Sequence, residues 1–336
     1  MTAREKTILE VQNLSIAYPI SIGVVRAVEG VSFTLDDGEA LGLVGESGCG
    51  KSTLGLSILK LQRPPGKVTG GKIMYRGTDI LGMSNRALLK MRGQSISMIF
   101  QNPLTSLNPL FTVEHHFLET IHFHDSSMPR EQALAAVEKM LETLGIEKKR
   151  LKEYPHQLSG GMRQRIMIGL ALIMNPDILI ADEPTTSLDV IVEAGFTDLL
   201  MSLRRVYKLS IILITHNLGL VAEIADRIAV MYAGRIMEIA TAEEIFARPL
   251  HPYTQGLINC VPNILVDQKE LVTMPGSPPD LVDPPAGCRF APRCPHVMAI
   301  CREKAPALLE HAPGHSAACW LYGKSAPGIR SSAGEG

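Results

Sequence analysis

Gly45–Ser52 reads GESGCGKS. It fits the pattern G-x-x-x-x-G-K-[ST] at every fixed position. An apolar run, EALGLVG at 39–45, leads into it, and Lys51–Leu61, which carries a helical pattern, leads out. Gly45, Gly48 and Gly50 allow the backbone to curl so that its N–H groups face a phosphate. The helix start adds about half a positive charge at the same point. Lys51 is then placed for the β- and γ-phosphates of a nucleotide, Ser52 for Mg²⁺, and Thr53 for further phosphate contact. Ser47 and Cys49 complete the nucleotide-binding loop, with no chemistry assigned to the Cys49 thiol. A glycine-rich turn with an incidental lysine accounts for the residues but not for the strand before them and the helix after.

A second chemical signal lies at 177–184, DILIADEP. Four apolar residues end in two acids, which places Asp182 at the C-terminal end of a buried strand, where open α/β sheets bind ligands. Asp182 is expected to hold Mg²⁺, and Glu183 to act as general base on an attacking water. Alone, such a pair is equally a strand end capped by exposed acids. Joined to the phosphate loop it becomes a hydrolytic constellation.

The remaining chain supplies the frame. Its 336 residues suggest about two domains, and 46% apolar residues suffice for a core. A net charge of −1 gives no sign of a nucleic-acid partner. No apolar stretch approaches the ~20 residues that a membrane helix needs. The start, MTAREKTILEVQNL, shows no apolar leader core, so a cytosolic setting with reduced thiols is expected. Ile8–Tyr18, Val28–Leu35 and Lys72–Ile80 alternate loosely, as strands do. The continuous apolar runs DILIA, 177–181, and SIILIT, 210–215, suit buried parallel strands. Helical patterns at Arg130–Leu144, Met162–Met174 and Val190–Val206 alternate with them, which predicts an α/β fold. Residues 227–240 read as a hairpin turning at Ala233-Gly234. After Pro249 prolines become dense and cysteines appear. This predicts a nucleotide-binding domain over 1–250, a small irregular extension over 251–322 and a disordered tail over 323–336.

One further segment decides the family. LSGGMRQRIMIGLAL begins at Leu158. It is similar to the signature of ATP-binding cassette (ABC) transporter ATPases, and the resemblance runs from about residue 8 to 250 with every family motif in order. It implies an α/β nucleotide-binding domain with a RecA-like parallel sheet core, an antiparallel β subdomain and a helical subdomain at 102–157. It implies ATP and Mg²⁺ as cofactors and the following roles. Tyr18 stacks on adenine; Gln101, in MIFQNP, contacts Mg²⁺ and the water; His216, in ITHN, contacts the γ-phosphate. Asp189 closes the D-loop SLD at 187–189, while Ser159, Gly160 and Gly161 meet the ATP held by a partner subunit. Two departures stand out: Met162 where glutamine is commonest, and Asn217 where aspartate is usual.

Longer phrases narrow the resemblance. QNPLTSLNP at 101–109, YPHQLSGGMRQRIMI at 154–168, ADEPTTSLDV at 181–190 and HPYTQGL at 251–257 resemble the dipeptide/oligopeptide importer ATPases, most closely the first of their two ATPase subunits. That implies a second ATPase subunit in a heterodimer, two transmembrane permease subunits, an extracytoplasmic peptide-binding protein, and a peripheral position on the cytoplasmic face of the membrane. Relatives that import nickel, glutathione or oligosaccharides remain open alternatives, as does a redox-regulated ATPase. A nucleic-acid-repair ATPase is disfavoured by the near-neutral charge and the lack of a coiled-coil insertion.

Four of the six cysteines lie in the extension: Cys288, Cys294, Cys301 and Cys319, spaced x5, x6 and x17. No gap is short enough for the paired knuckles of a zinc ribbon. Four thiolates can instead hold a [4Fe–4S] cluster, and the peptide-importer resemblance, in which all four positions match, implies that ligand set. Cys260 lies outside the pattern and reads as a structural thiol. His115, His116, His122 and His124 read as surface and core residues of a helix, since ligand spacing with a supporting acid is not clear.

Overall fold

Two sheets meet at the phosphate loop. The computed structural model describes residues 6–101, 107–186, 190–260 and 274–323. A four-stranded antiparallel sheet is ordered β2-β1-β4-β5, from Thr7–Ile20 (β1), Gly23–Asp36 (β2), Lys67–Tyr75 (β4) and Thr78–Asp79 (β5). The larger sheet has eight strands. Ala40–Val44 (β3), Ile96–Ile99 (β6), Ile178–Asp182 (β7), Ser210–Thr215 (β8) and Arg227–Tyr232 (β9) run parallel in the order β9-β3-β8-β7-β6.

The apolar runs are continuous because these strands are covered on both faces. In β8, Ile211 and Leu213 enter one core cluster while Ile212 and Ile214 enter the other. β7 divides likewise, Leu179 to one side and Ile180 to the other. The antiparallel sheet supplies Leu9, Leu14 and Ile16 to one cluster. The helices Val113–His124 (α3), Arg130–Thr143 (α4) and Gly160–Leu172 (α5) supply Phe117, Val137 and Ile166 to the other. Lys51–Ile58 (α1) and Asn85–Gln94 (α2) lie on the first side, while Val190–Tyr207 (α6) and Leu218–Ile224 (α7) close the second.

The hairpin at 227–240 is present, with β9 turning into Arg235–Thr241 (β10). Ala233 at φ 46° and Gly234 at φ 84° form the turn. Positive φ at both positions gives the twist a tight hairpin needs, so geometry overrides the weak Ala-Gly signal.

The extension differs from the irregular reading. It contains the helices Pro252–Asn259 (following Ala242–Ala247) and Ala299–Glu303, and the strands Leu309–Ala312 (β11) and His315–Ala317 (β12). β12 pairs antiparallel with β10 and carries β11 on its far side, so the large sheet ends in the order β11-β12-β10-β9. Phe290 packs between Tyr232 and Tyr253 with ring centroids 5.3 and 5.4 Å away. Cys288, Phe290, Ala291 and Cys301 join the same cluster as the helices. The extension therefore buries these apolar residues against the cassette rather than in a separate core, which a chain this proline-rich could not build.

Glu238 of β10 clamps the junction. Its carboxylate is fully buried, accepts hydrogen bonds from the Leu250 and His251 amides at 2.7 and 2.8 Å, and meets His315 Nε2 at 2.7 Å. His251 in turn accepts the Tyr253 amide at Nδ1, 3.0 Å, capping its helix. Burial depresses the His251 pKa to about 3. In the unfolded chain it takes up a proton near 6.5. The unfolded state thus binds the extra proton between pH 6.5 and 3, so the stability is complete above 6.5 and declines as the pH falls, by about 1.4 kcal/mol per unit. Thermal unfolding followed from pH 7 to 5 should show a falling Tm. His251→Asn, which keeps a capping acceptor but does not titrate, should flatten that slope.

Candidate active site

β3 ends at Val44, and the next residue turns the chain into a loop that only glycine can make. Gly45 has φ 150°, and a Cβ there would sit 2.0 Å from the Met231 carbonyl oxygen. Gly50 has φ 103°, and a Cβ there would sit 2.1 Å from the Ala27 carbonyl oxygen. The loop threads between β2 and β9 and delivers Lys51 to the first turn of α1. Lys51 is buried. Its Nζ donates to the Gly45 and Glu46 carbonyls at 2.7 and 3.0 Å, so the ammonium sits inside its own loop. Cys49 is buried beside it, Sγ 3.8 Å from Nζ, and burial raises its thiol pKa. Its amide and carbonyl, not its sulfur, shape the loop, donating to nothing beyond Glu46 O and accepting from the Gly234 amide at 2.8 Å.

Ser52 Oγ donates to Asp182 Oδ1 at 2.9 Å, so the loop and the strand-end acid share one point. Asp182 is nearly fully buried, and desolvation pushes its pKa up to about 6. A hydroxyl, a buried carboxylate and the nearby Gln101 amide are hard oxygen donors, the set that Mg²⁺ prefers. Glu183 follows at φ 45°, its amide donating to the Ile214 carbonyl of β8 at 2.8 Å. A left-handed backbone at a non-glycine residue costs free energy. Here it aims the side chain at three partners. Gln101 Nε2 donates to Glu183 Oε2 at 3.1 Å, Thr186 Oγ1 donates to the same oxygen at 3.0 Å, and His216 Nδ1 meets Oε1 at 3.3 Å.

A cavity of about 360 Å³ gathers these groups. Tyr18, Val25, Ala27, Ser47, Gly48, Gly50, Lys51, Ser52, Thr53, Gln101 and Glu183 line it, together with Leu281 of the extension. Tyr18 and Glu183 thus share one cavity with the phosphate loop. The structure does not bring the signature here. Ser159 caps α5, accepting the Met162 amide at 3.3 Å, and lines a separate cavity with Gly161. Gly160 opens that helix. Met162 therefore contributes its amide to the cap, a backbone role that any side chain permits. Asn217 caps α7 and donates to Glu193 Oε1 at 2.8 Å, clear of Glu183. Asp189 lies outside the described residues.

The comparisons with known proteins address this constellation. The ABC transporter family profile matches residues 28–186, and the profile of the oligopeptide/dipeptide transporter C-terminal region matches 237–301. A dipeptide transport ATP-binding protein, DppD, of Bacillus subtilis is 48% identical over 322 residues, covering 95% of this chain and 96% of that one. An oligopeptide transport ATP-binding protein, OppD, of Salmonella typhimurium is 45% identical, covering 93% of each chain. This chain belongs to the dipeptide and oligopeptide transport ATP-binding branch of the ABC transporter family. It is also similar to a solved ATP-binding cassette, MJ0796, described as a dimer in a post-hydrolysis state with ADP and Pi, at a TM-score of 0.62 and 26% identity over 70% of this chain and 99% of that one.

The branch-specific C-terminal region holds what the sequence reading missed. Arg293 and Tyr253 contact Glu46 inside the phosphate loop. Buried Gln164 of α5 donates to the Pro184 carbonyl at 2.7 Å and ties the signature helix to the segment that carries Glu183. Leu281 carried no sequence signal of its own, and Thr186 was marked only within the family phrase ADEPTTSLDV. HPYTQGL did mark the Tyr253 segment, though only as a family phrase.

The four extension thiols are free and face a common region. Cys288, Cys294 and Cys301 each raise the Cys319 pKa, which burial already drives up to about 12, and Cys288 is raised to about 11. Among the described residues, no group of three or more Cys, His, Asp or Glu is spaced to hold a metal ion. Of the α3 histidines, His116 bonds the Thr112 carbonyl through Nδ1 and accepts the Asn108 amide at Nε2, His115 packs on Phe111, and His124 packs on Phe123.

Gly50→Ala should lower stability by about 2–3 kcal/mol, since the strained φ and the Ala27 carbonyl both oppose a Cβ. Thermal unfolding with and without MgATP should show a lower Tm and loss of the nucleotide-induced increase.

Proposed function

We propose that this chain is the ATP-hydrolysing subunit of an importer of dipeptides or oligopeptides. It docks at the cytoplasmic face on two permease subunits, pairs with a second ATPase subunit, and serves an extracytoplasmic peptide-binding protein. The observation that carries the reading is Glu183, which meets Gln101, Thr186 and His216 beside a phosphate loop.

Tyr18 receives the adenine, and the amides of Ser47–Thr53 receive the phosphates. Lys51 exchanges its two loop carbonyls for β- and γ-phosphate oxygens. Ser52, Asp182 and Gln101 would hold Mg²⁺, which neutralises charge on the phosphates. Gln101 and His216 orient a water. Glu183 takes its proton as the water oxygen bonds to the γ-phosphorus and the bond to ADP breaks. Ser159, Gly160 and Gly161 lie away from this chain's own loop, which supports their acting on ATP held by the partner cassette; Asp189 belongs to the same interface. In this reading the permeases supply the path; no helix among the described residues is long and apolar enough to cross a membrane. In the assembled complex, Glu183→Gln should cut ATP turnover by about 100-fold or more while ATP binding persists. Unchanged turnover would refute the general-base role.

The extension thiols support a second element of the reading, a [4Fe–4S] cluster held by Cys288, Cys294, Cys301 and Cys319. Four cysteine thiols within one short stretch of chain are a soft donor set, and as placed they would have to draw closer together to hold a cluster. The cluster, when bound, would supply a cross-link within the second half of the extension, from Cys288 to Cys319. Anaerobically purified full-length protein should contain iron and sulfide. Stoichiometric zinc without either would overturn this assignment.

A further inference from the structure

Glu46 is an acid inside a loop whose task is to bind a triphosphate. Each of its polar groups is engaged. Its amide donates to Tyr253 Oη at 2.9 Å. Its carbonyl accepts from Lys51 Nζ at 3.0 Å and from the Cys49 amide at 3.3 Å. Its carboxylate takes both arms of the Arg293 guanidinium, Nη1 at 2.8 Å and Nη2 at 3.0 Å. Arg293 is buried and fixed in turn. Its Nε donates to the Pro275 carbonyl at 2.8 Å, Nη1 also reaches Tyr232 Oη at 3.2 Å, and the guanidinium lies 5.7 and 5.9 Å from the centroids of Tyr232 and Phe290.

We infer that Arg293 and Tyr253 of the extension are positioning residues for nucleotide binding, which neutralise Glu46 and hold the phosphate loop in its binding shape. Two physical effects act together. A loop with three glycines has high conformational entropy, and a bidentate charged pair to a rigid, buried partner removes much of it before the ligand arrives. An unpaired carboxylate within the phosphate loop would also oppose the charge of the phosphates, and the guanidinium cancels it. The phosphate-loop pattern leaves the second position open to any residue. The acid is tolerated here because the extension meets it.

This inference rests on reading Gly45–Thr53 as the nucleotide loop, and the test separates the two. MgATP affinity is measured on the full-length chain by equilibrium binding, with turnover at saturating ATP alongside. Lys51→Ala serves as the control for the loop itself. If it binds MgATP normally, the nucleotide-loop reading fails. Arg293→Gln is expected to raise the Kd by roughly tenfold, the loss of one charge-assisted contact, with turnover at saturating ATP within about twofold. Adding Glu46→Gln to Arg293→Gln removes the stranded charge and should recover part of the affinity, and Arg293→Lys should fall between. Tyr253→Phe keeps the ring in the core and strands only the Glu46 amide. It should weaken binding by about fivefold, and it stays informative if Arg293→Gln does not fold. An unchanged Kd in Tyr253→Phe or in folded Arg293→Gln, or a double variant as weak as the product of the single effects, overturns the inference while Lys51→Ala still abolishes binding.

Discussion

The Ala27 and Met231 carbonyl oxygens set the geometry on which the rest of the molecule depends. One belongs to the antiparallel sheet and the other to the parallel sheet, and the phosphate loop passes against both with glycine at each contact. A strand, a loop and a helix can be joined in many ways. Wedging the join between two sheets leaves one. The consequence runs outward: the position of Lys51, the meeting of Ser52 with Asp182, and the reach of the extension to Glu46 all follow from where that loop is held.

The parts legible in the sequence were those with a local cause. GESGCGKS, DILIADEP and the apolar runs each combine a backbone requirement with a chemical one, and β3, β7 and β8 lie within a residue of where patterning placed them. Boundaries moved where burial rather than pattern decides. The helix read as Lys51–Leu61 ends at Ile58, and the signature helix begins at Gly160 because Ser159 caps it. β6, only four residues long, was passed over: ISMI is too short to show a period and is a strand because β7 pairs with it. Asp182, Glu183, Gln101 and His216 are separated by up to 115 positions in the chain; the acids were legible from their strand end, while Gln101 and His216 joined them only through the family resemblance.

What sequence could not show were contacts made by residues with no motif of their own. Arg293 reads as one basic residue in a run between cysteines, and Glu46 as a free choice in a glycine loop. Their pairing spans 247 positions and depends on the Tyr232–Phe290–Tyr253 packing that seats the extension. Composition suggested an irregular appendage because prolines are dense in it and cysteines appear. Its regular elements are short, and they are stabilised by a partner surface rather than by propensity.

The pairing of β12 with β10 has a consequence for the molecule's behaviour at high concentration. Without it, β10 would present a row of unpaired amides and carbonyls on an apolar, seven-residue edge, a template on which other chains can add. The extension pairs with the middle of that row, at Glu238 and Ile239, and moves the boundary of the sheet there to β11, four residues long and carrying Glu310 and His311. A short, polar boundary of this kind discourages chain-to-chain addition. The extension thereby acts as a guard on solubility as well as a brace for the loop, and a chain ending at residue 250 would carry its stickiest strand at its margin.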